Sequence, residues 1–435
     1  MSITRLGTAH MYDRTISNIS KQQAELSSQM EHASAGKRVI RASDDPVAAA
    51  QAERARTRLS RIETDQRQLD AQTATIQYGE STLGEINNAV QEFRSLIVNA
   101  GNGAFNQTQR DTLVEQLQSL RAQILSYSNR TDSNGLPLFR GLDTRSETPF
   151  PNATQGIQGG QSNSNEYSIT NSLDGALAFF SGSTGNGVLA VDIGSHNQGT
   201  AWADVGAIKD PNATDLTQSG PLTISFKVVD GVTTYSVTQM GEVPSLDGNG
   251  DPILDGNGDP VMVPGAVPAL DGTGQAITDV TYQSGEAITI AGMALTITGA
   301  PSDSDQFVVK PSETISIFDV LDSAIAAVKN NVKPDGTTDH GALAHGLAKS
   351  LAEIDTQLNR VSTVRGVAGD LLNQAERMGS TLLLRNEQME AQRASAEDID
   401  AVAALSQLKT QETMVSAALQ SYASIQKLSL FDYIG

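Results

Sequence analysis

Heptad-spaced apolar residues at both ends of the chain constrain its fold more than any other feature of the sequence. The N-terminal series is Tyr12, Ile16, Ile19, Gln23, Leu26, Met30 and Ala33. The C-terminal series is Leu405, Leu408, Glu412, Val415, Leu419, Tyr422 and Gln426. Alternating steps of three and four residues place side chains on one narrow face of a helix. Such helices are marginal alone, so we expect the first and last helices to pair in a coiled-coil-like bundle.

The stretch between these ends changes from helical to strand-like composition. Residues 144–340 hold 23 of the 50 acidic residues but only 6 of the 30 basic ones. Gly, Ser, Thr, Asn and Asp separate short β-prone runs, which favours an antiparallel sheet. The runs are Tyr167–Thr170, Val188–Ile193, Leu222–Val229, Thr233–Gln239, Ala287–Thr298 and Gln306–Val309. The sequence therefore predicts a mainly α protein with a β insert (α+β), in which paired terminal helices frame a central antiparallel β domain.

These changes in composition divide the chain into three predicted domains. Residues 1–42 and 395–435 are expected to form a terminal coiled-coil assembly domain. Residues 43–143 and 311–394 are expected to form a helical bundle, and residues 144–310 a surface-exposed β-rich domain. The near-neutral ends suit association, whereas the acidic middle suits exposure to solvent.

A helix-start motif, Ser43-Asp44-Asp45-Pro46, separates the first helix from the second. Gly36 can adopt the left-handed conformation that ends a helix. We predict that Ser43 is the N-cap and that Asp44 and Asp45 lie in the first turn, where the helix dipole favours carboxylates. Pro46 is tolerated there because first-turn amides have no partner within the helix.

Three further helix features follow from the same rules. A change in the apolar phase near Gly79 and Gly84 predicts a bend or local unwinding in the second helix. Thr108 with Asp111 resembles a capping box, and Ser395 with the acidic residues after it is expected to cap the final helix. The motif Asp-Gly-Asn-Gly-Asp-Pro occurs at Asp247–Pro252 and Asp255–Pro260. It lacks the bidentate Glu of a calcium loop, so we interpret both copies as exposed turns.

The composition argues against several functional classes. The chain has no cysteine and a net charge of −20, which excludes disulfides and disfavours nucleic-acid binding. It has no apolar run of membrane-spanning length. The first residues lack the apolar region of a secretory signal, so we expect no cleaved signal peptide. Its five histidines are poorly spaced for ligand binding, and it has no phosphate loop or nucleophile motif. We therefore predict neither an enzyme nor a metal or cofactor site.

The motifs at the two ends together resemble the flagellin superfamily. At the N-terminus they are Met1-Ser-Ile-Thr-Arg5, Gln22-Gln-Ala-Glu-Leu26, Gly36-Lys-Arg-Val39 and Ser43-Asp-Asp-Pro-Val47. At the C-terminus they are Asp398-Ile-Asp400, Val402, Leu405 and Ser429-Leu-Phe-Asp-Tyr-Ile434. Central motifs are Tyr282–Gly285, Ile297–Pro301, Asp305–Val308 and Ser316–Asp319. Asp-Asp-Pro and the Asp-Tyr-Ile-Gly end favour a hook–filament junction subunit over a filament flagellin, which stays the alternative.

The resemblance implies a secreted, extracellular component of the bacterial flagellum, exported through the flagellar type III channel with uncleaved ends. The implied partners are hook-associated protein 1, flagellin, a ring of eleven copies of the chain itself and a cytoplasmic export chaperone. No nucleic acid, membrane insertion or cofactor is implied. A free-standing coiled-coil adhesin with a β head is a further alternative, and it would predict a stable trimer.

Assembly is expected to bury the extreme ends against neighbouring subunits, whereas residues 50–130 and 345–390 form an ordinary core. The predicted interface residues are Ile16, Ile19, Leu26, Met30, Leu405, Leu408, Val415, Leu419, Tyr422, Leu428, Leu430 and Phe431.

Overall fold

The computed structural model describes residues 8–103, 105–142, 168–210, 220–247, 252–255, 260–271, 274–290, 292–329 and 337–434, with backbone only at 8–12 and 425–434. Contacts divide the chain into two compact units. The end unit combines the chain up to Asp70 with the chain from Glu376, and the central unit comprises Ala71–Ala375. Each unit is described by itself below.

Long helices dominate both units. The helices are α1 (Thr8–Ala35), α2 (Pro46–Ala100), α3 (Gln107–Ser128), α4 (Gly175–Phe179), α5 (Ile317–Lys329), α6 (His340–Glu397) and α7 (Ala401–Ile434). In the end unit α1 packs against α7, and in the central unit α3 packs against α5. Arg121 on α3 forms a bidentate ion pair with Asp322 on α5, with both N–O distances 2.8 Å. None of the described helices is long and apolar enough to cross a membrane.

The helical core of the central unit is built from aliphatic side chains of α2, α3, α5 and α6 and a cluster of phenylalanines. Phe139 and Phe179 meet edge to face, with ring centroids 5.4 Å apart, and Phe318 of α5 packs beside Phe179. Such aromatic contacts add to the free energy gained from apolar burial. Its fully buried members include Ile76, Leu83, Ile86, Phe93, Ile97, Leu117, Phe139, Phe179 and Phe318.

The strands of the central unit form antiparallel sheets. The strands are β1 (Gly182–Ser183), β2 (Leu189–Ile193), β3 (Trp202–Ala203), β4 (Ala207–Ile208), β5 (Leu222–Val229), β6 (Val232–Pro244), β7 (Met262–Pro268), β8 (Val280–Thr281), β9 (Ala287–Ile290), β10 (Met293–Thr298), β11 (Gln306–Pro311) and β12 (Thr314–Ile315). One sheet has the order β2-β11-β5-β6-β7, with β8 on β6. Another has the order β3-β10-β4, with β9 on β10, and both line one apolar core.

The predicted α+β class, with paired terminal helices and a central antiparallel β domain, is confirmed. The run Leu222–Val229 is a strand with the same bounds, and Ala287–Thr298 forms the β9–β10 hairpin. Tyr167, which begins the first predicted run, lies outside the described residues.

α2 stays helical through Gly79 and Gly84, so the predicted local unwinding does not occur. Gly79 makes room for a neighbouring side chain, since a Cβ on it would lie 2.9 Å from Leu173 Cδ1. Two predictions about helix caps are wrong. The cap of α3 is Asn106, which forms a capping box with Gln109. Ser395 caps no helix, since α6 continues to Glu397.

The sequence Leu-Asp-Gly opens a β-bridged segment at three places, whereas the sequence motif predicted only two. Leu246 bridges Pro252, Leu254 bridges Pro260, and a third turn bridges Leu270 with Ala276. In this third turn Asp271 accepts a hydrogen bond from the amide of Gln275 at 2.9 Å. Among the described residues no three His, Asp or Glu side chains are grouped as a metal site would need.

A polar stripe on α6 joins this helix to the sheets within the central unit. Its members His345, Glu353 and Gln357 are buried. Both ring nitrogens of His345 face backbone carbonyl oxygens, those of Ala203 at 3.2 Å and Val191 at 3.1 Å. Burial lowers the pKa of His345 from its usual 6.5, and Lys349 adds to the effect. A neutral imidazole has one N–H, so only one of the two carbonyls receives a hydrogen bond.

We therefore expect acid to weaken this packing. The unfolded chain binds a proton at His345 near pH 6.5, whereas the folded protein does so only at lower pH. The stabilisation is complete above pH 6.5 and is lost below it, at up to about 1.4 kcal/mol per pH unit. Urea unfolding at pH 7.5 and 5.5 should show a smaller loss in His345→Gln than in the wild type. The exposed His340→Gln should keep the wild-type loss, and equal losses in all three proteins would contradict the expectation.

Candidate assembly interface

The turn between α1 and α2 is organised by two adjacent carboxylates with different tasks. Asp45 is the N-cap of α2, because its Oδ1 accepts hydrogen bonds from the amides of Val47 at 3.1 Å and Ala48 at 3.0 Å. Asp44 closes the preceding turn by accepting from the amides of Ile40 and Arg41. The predicted capping role of Ser43 is therefore wrong, and so is the predicted first-turn position of Asp44 and Asp45, because both precede Pro46, the first helical residue.

These hydrogen bonds also set the acidity of the two side chains. The amide of Ala48 and the guanidinium of Arg38 lower the pKa of Asp45. The amide of Arg41 lowers the pKa of Asp44. Both groups are therefore ionised at neutral pH, as a carboxylate at a helix N-terminus should be.

The turn between α6 and α7 lies directly against the turn between α1 and α2. The carbonyl oxygen of Glu397 accepts from the amides of Arg38 at 2.7 Å and Val39 at 3.3 Å. The amide of Ile399 donates to the carbonyl of Gly36 at 3.1 Å. Gly36 has φ +66, the left-handed conformation that suits glycine. Backbone hydrogen bonds therefore join residues that are more than 350 positions apart in the sequence.

A buried carboxylate completes this junction. The side chain of Glu397 is only 4% exposed, and its oxygens bind Lys37 at 3.2 Å, Arg56, and Arg393 at 3.7 Å. Lys37 lies in the turn between α1 and α2, Arg56 lies on α2, and Arg393 lies on α6, the helix that ends at Glu397. A buried charge is tolerated when it is paired in this way. Glu397 and its three cations thus fix the point from which α1 and α7 begin their contact; we call this arrangement the Glu397 junction.

Beyond the Glu397 junction, α1 and α7 run antiparallel with a polar intramolecular seam. Gln411 donates from Nε2 to the backbone carbonyl of Gln22 and to the carboxylate of Glu25. The amide oxygens of Gln22 and Gln29 are buried without a hydrogen-bond donor among the described residues. The partly or fully buried positions are Thr15, Ile19, Gln22, Leu26, Gln29, His32 and Ala33 on α1, and Ala404, Leu408, Gln411, Glu412, Val415, Ala418 and Tyr422 on α7.

The predicted interface residues divide between this seam and the opposite surface. Ile19, Leu26, Leu408, Val415 and Tyr422 contribute to the intramolecular seam. The exposed ones are Ile16 (47%), Met30 (49%), Leu405 (60%) and Leu419 (44%). The side chains of Leu428, Leu430 and Phe431 lie outside the described part of the chain.

The sequence analysis did not identify two further exposed apolar residues, Val402 and Met414. It also placed Gln23 rather than Gln22 in the seam. The predicted register, which contains Gln23, and the observed register, which contains Gln22, both include Ile19 and Leu26. Both also keep the 3–4 spacing, so the heptad pattern alone cannot distinguish them. We call Ile16, Met30, Val402, Leu405, Met414 and Leu419 the outer apolar residues.

The chain thus combines terminal helices joined by a two-turn junction with a helical core and a β insertion. In agreement with this fold, residues 7–144 match the bacterial flagellin N-terminal helical region. The resemblance to the flagellin superfamily that the end motifs predicted is therefore confirmed.

The chain is also similar to flagellar hook-associated protein 3. It is 26% identical to that protein from Escherichia coli over 431 residues, which is 98% of both chains. It is 36% identical to the Salmonella typhimurium protein over 185 residues, 42% of this chain and 55% of the relative. The crystal structure of the flagellar junction protein FlgL from Legionella pneumophila has the same fold, with a TM-score of 0.57, 24% identity and coverage of 75% of this chain and 99% of that one.

Neutralising Glu397 should loosen the Glu397 junction. Glu397→Gln leaves Lys37, Arg56 and Arg393 without their shared carboxylate, and we expect a loss of about 2–4 kcal/mol of local stability. Amide hydrogen exchange should accelerate at residues 36–48 and 396–402. The control Glu390→Gln removes a partly exposed ion pair to Arg393, which is worth at most about 1 kcal/mol. Unchanged exchange in Glu397→Gln would show that the backbone hydrogen bonds alone hold the two turns.

Proposed function

We propose that this chain is a structural subunit of the bacterial flagellum that joins the hook to the filament. The observation that carries the proposal is the end-to-end similarity to flagellar hook-associated protein 3, which extends over 98% of both chains. A protein that matches along its whole length shares the parts that assemble as well as the parts that fold. The role is structural rather than catalytic.

The terminal helix pair supplies a physical route to assembly. Its intramolecular seam contains glutamines and, apart from the buried Val415, only partly buried apolar residues, so it contributes little stability by itself. The outer apolar residues stay in contact with water in a single chain. Neighbouring subunits would bury them, at about 1.5–3 kcal/mol for each large side chain that becomes fully covered. Association would thereby stabilise the helices that make it.

The finer features of the proposal are its partners. We propose hook-associated protein 1 below, flagellin above and a ring of identical copies between them. The chain would be exported to the cell exterior with its ends intact, and an export chaperone would cover the C-terminal helix in the cytoplasm. The three domains of the sequence analysis serve here as a terminal assembly region, a helical bundle and an outward β domain.

A filament flagellin is the second candidate, because residues 7–144 match a helical region named after flagellin. Deletion in the source bacterium separates the two. We expect hooks without filaments by electron microscopy, with flagellin monomer in the medium. Absence of flagellin from both cells and medium would identify the chain as the filament subunit. Full-length filaments in the deletion strain would contradict both candidates.

The outer apolar residues give a second test. The double variant Leu405→Asp, Leu419→Asp should retain the circular dichroism of the wild-type monomer, because both side chains are exposed. It should nevertheless fail to restore filaments to the deletion strain, since charges would be buried at the interface. The control variant Val229→Asp, Val232→Asp changes equally exposed valines beside a β turn and should restore them. Full restoration by both variants would show that assembly does not use this face.

A further inference from the structure

The β6–β7 hairpin extends into an arm whose apolar surface is uncovered. The arm comprises the described residues 240–247, 252–255 and 260–271; β5 pairs with β6 only as far as Gln239, so the arm continues beyond the sheet. Within it the amides of Ser245, Ile253 and Val261 donate to one another's carbonyls in a closed ring, at 2.7–2.8 Å. The exposed large apolar residues of the arm are Met240, Leu246, Ile253, Leu254, Val261, Met262, Val263 and Leu270.

One face of the arm is packed across its two strands. Gly241 pairs with Gly265, and each lacks a side chain where a valine from the opposite strand crosses over it. A Cβ on Gly241 would lie 2.6 Å from Val267, and one on Gly265 would lie 2.3 Å from Val243. A two-stranded ribbon with this much exposed apolar surface is marginal in water, and contiguous exposed apolar surface marks an interaction site.

Charge restricts what can cover the arm. The sequence has no Lys or Arg between Lys227 and Lys310, and the described part of the arm carries Glu242, Asp247, Asp255 and Asp271. Two arms would repel each other, because like charges would face one another. Addition of a strand to the β7 edge is also disfavoured, since Pro264 and Pro268 lack the N–H that pairing needs. The partner must therefore offer apolar side chains beside basic ones.

The end unit carries such a surface between α2 and α6. Arg54, Arg58 and Arg61 follow one face of α2 at steps of four and three, are exposed, and have no carboxylate within ion-pair distance among the described residues. Arg54 and Arg58 line a groove of 540 Å³ with glutamines of α6. An adjoining groove of 330 Å³ is lined by Ile62, Leu382 and Leu383, and Leu383 is 61% exposed. We call these two grooves the α2–α6 face.

We propose that the arm of one copy docks on the α2–α6 face of a second copy. The arm's carboxylates would meet Arg54, Arg58 and Arg61, and its apolar residues would cover Ile62 and Leu383. The contact joins different surfaces on the two copies, so repetition generates a ring or a helical array rather than a closed pair. The inference rests on the proposed function, because it supplies a contact between subunits of the same assembly.

Cross-linking in assembled flagella tests this contact, since the chain has no cysteine of its own. Two full-length variants, Leu254→Cys in the arm and Leu383→Cys on the α2–α6 face, are expressed together in the deletion strain. Sheared flagella are treated with a short thiol–thiol cross-linker. We expect a dimer when both variants are present and none with either variant alone. If filaments do not form, Met262→Cys and Ile62→Cys replace the first pair.

A matched pair of charge reversals tests the electrostatic part. Arg58→Glu in the Leu383→Cys chain should lower the dimer yield about tenfold, a difference of about 1.4 kcal/mol. Arg377→Glu changes another exposed arginine of the end unit and should leave the yield unchanged. Equal losses from both reversals would overturn the specific contact.

Two further results would overturn the inference without affecting the proposed function. One is normal flagella that yield no dimer with either cysteine pair. The other is an equal dimer yield from Leu254→Cys alone, which would place arm against arm. Failure of the proposed function would instead appear as full-length filaments in the deletion strain.

Discussion

The carboxylate of Glu397 holds together the two turns on which the end unit depends. It lies buried among Lys37, Arg56 and Arg393, and the backbone of the same residue accepts the amides of Arg38 and Val39. A buried ion pair seldom adds much net stability compared with apolar packing, but loss of one partner leaves an uncompensated charge. Its contribution here is to fix one geometry, in which the first and last helices start side by side.

An aspartate caps the helix that follows each of the two turns. Asp45 caps α2, and Asp400 caps α7 by accepting from the amides of Val402 and Ala403. The two Asx caps and the Glu397 junction therefore decide where the helices of the end unit begin. The seam between α1 and α7 follows from that starting point, and it buries glutamines while larger apolar side chains remain outside. This distribution suits a chain whose ends are completed by neighbouring copies, because the free subunit keeps a polar, weakly held pair.

The β domain combines charge and packing differently from the end unit. Two sheets enclose one core around Phe226, Phe307 and Ile297. Asp192 lies beside Lys310 and Lys349; burial opposes its ionisation, but the two ammonium groups outweigh burial and lower its pKa. Elsewhere the domain relies on aspartates that accept backbone amides in turns, as Asp305 does for Gln198, Gly199 and Ser302. Turns of this kind need no cations, which explains how an acidic segment can fold.

The sequence by itself determined the helical ends, the central antiparallel strands and the flagellin resemblance, because these follow from local periodicity, turn chemistry and short motifs. Leu222–Val229 shows this clearly, since its bounds as a strand were correct. The tertiary structure alone decided which of two heptad registers faces inward, which aspartate caps α2, and what occupies the space beside Gly79. Each of these depends on a neighbour distant in sequence: Gln411 against Gln22, Glu397 against Arg38, and Leu173 against Gly79. Local pattern cannot reveal such neighbours, because they meet only when segments far apart in the sequence have folded together.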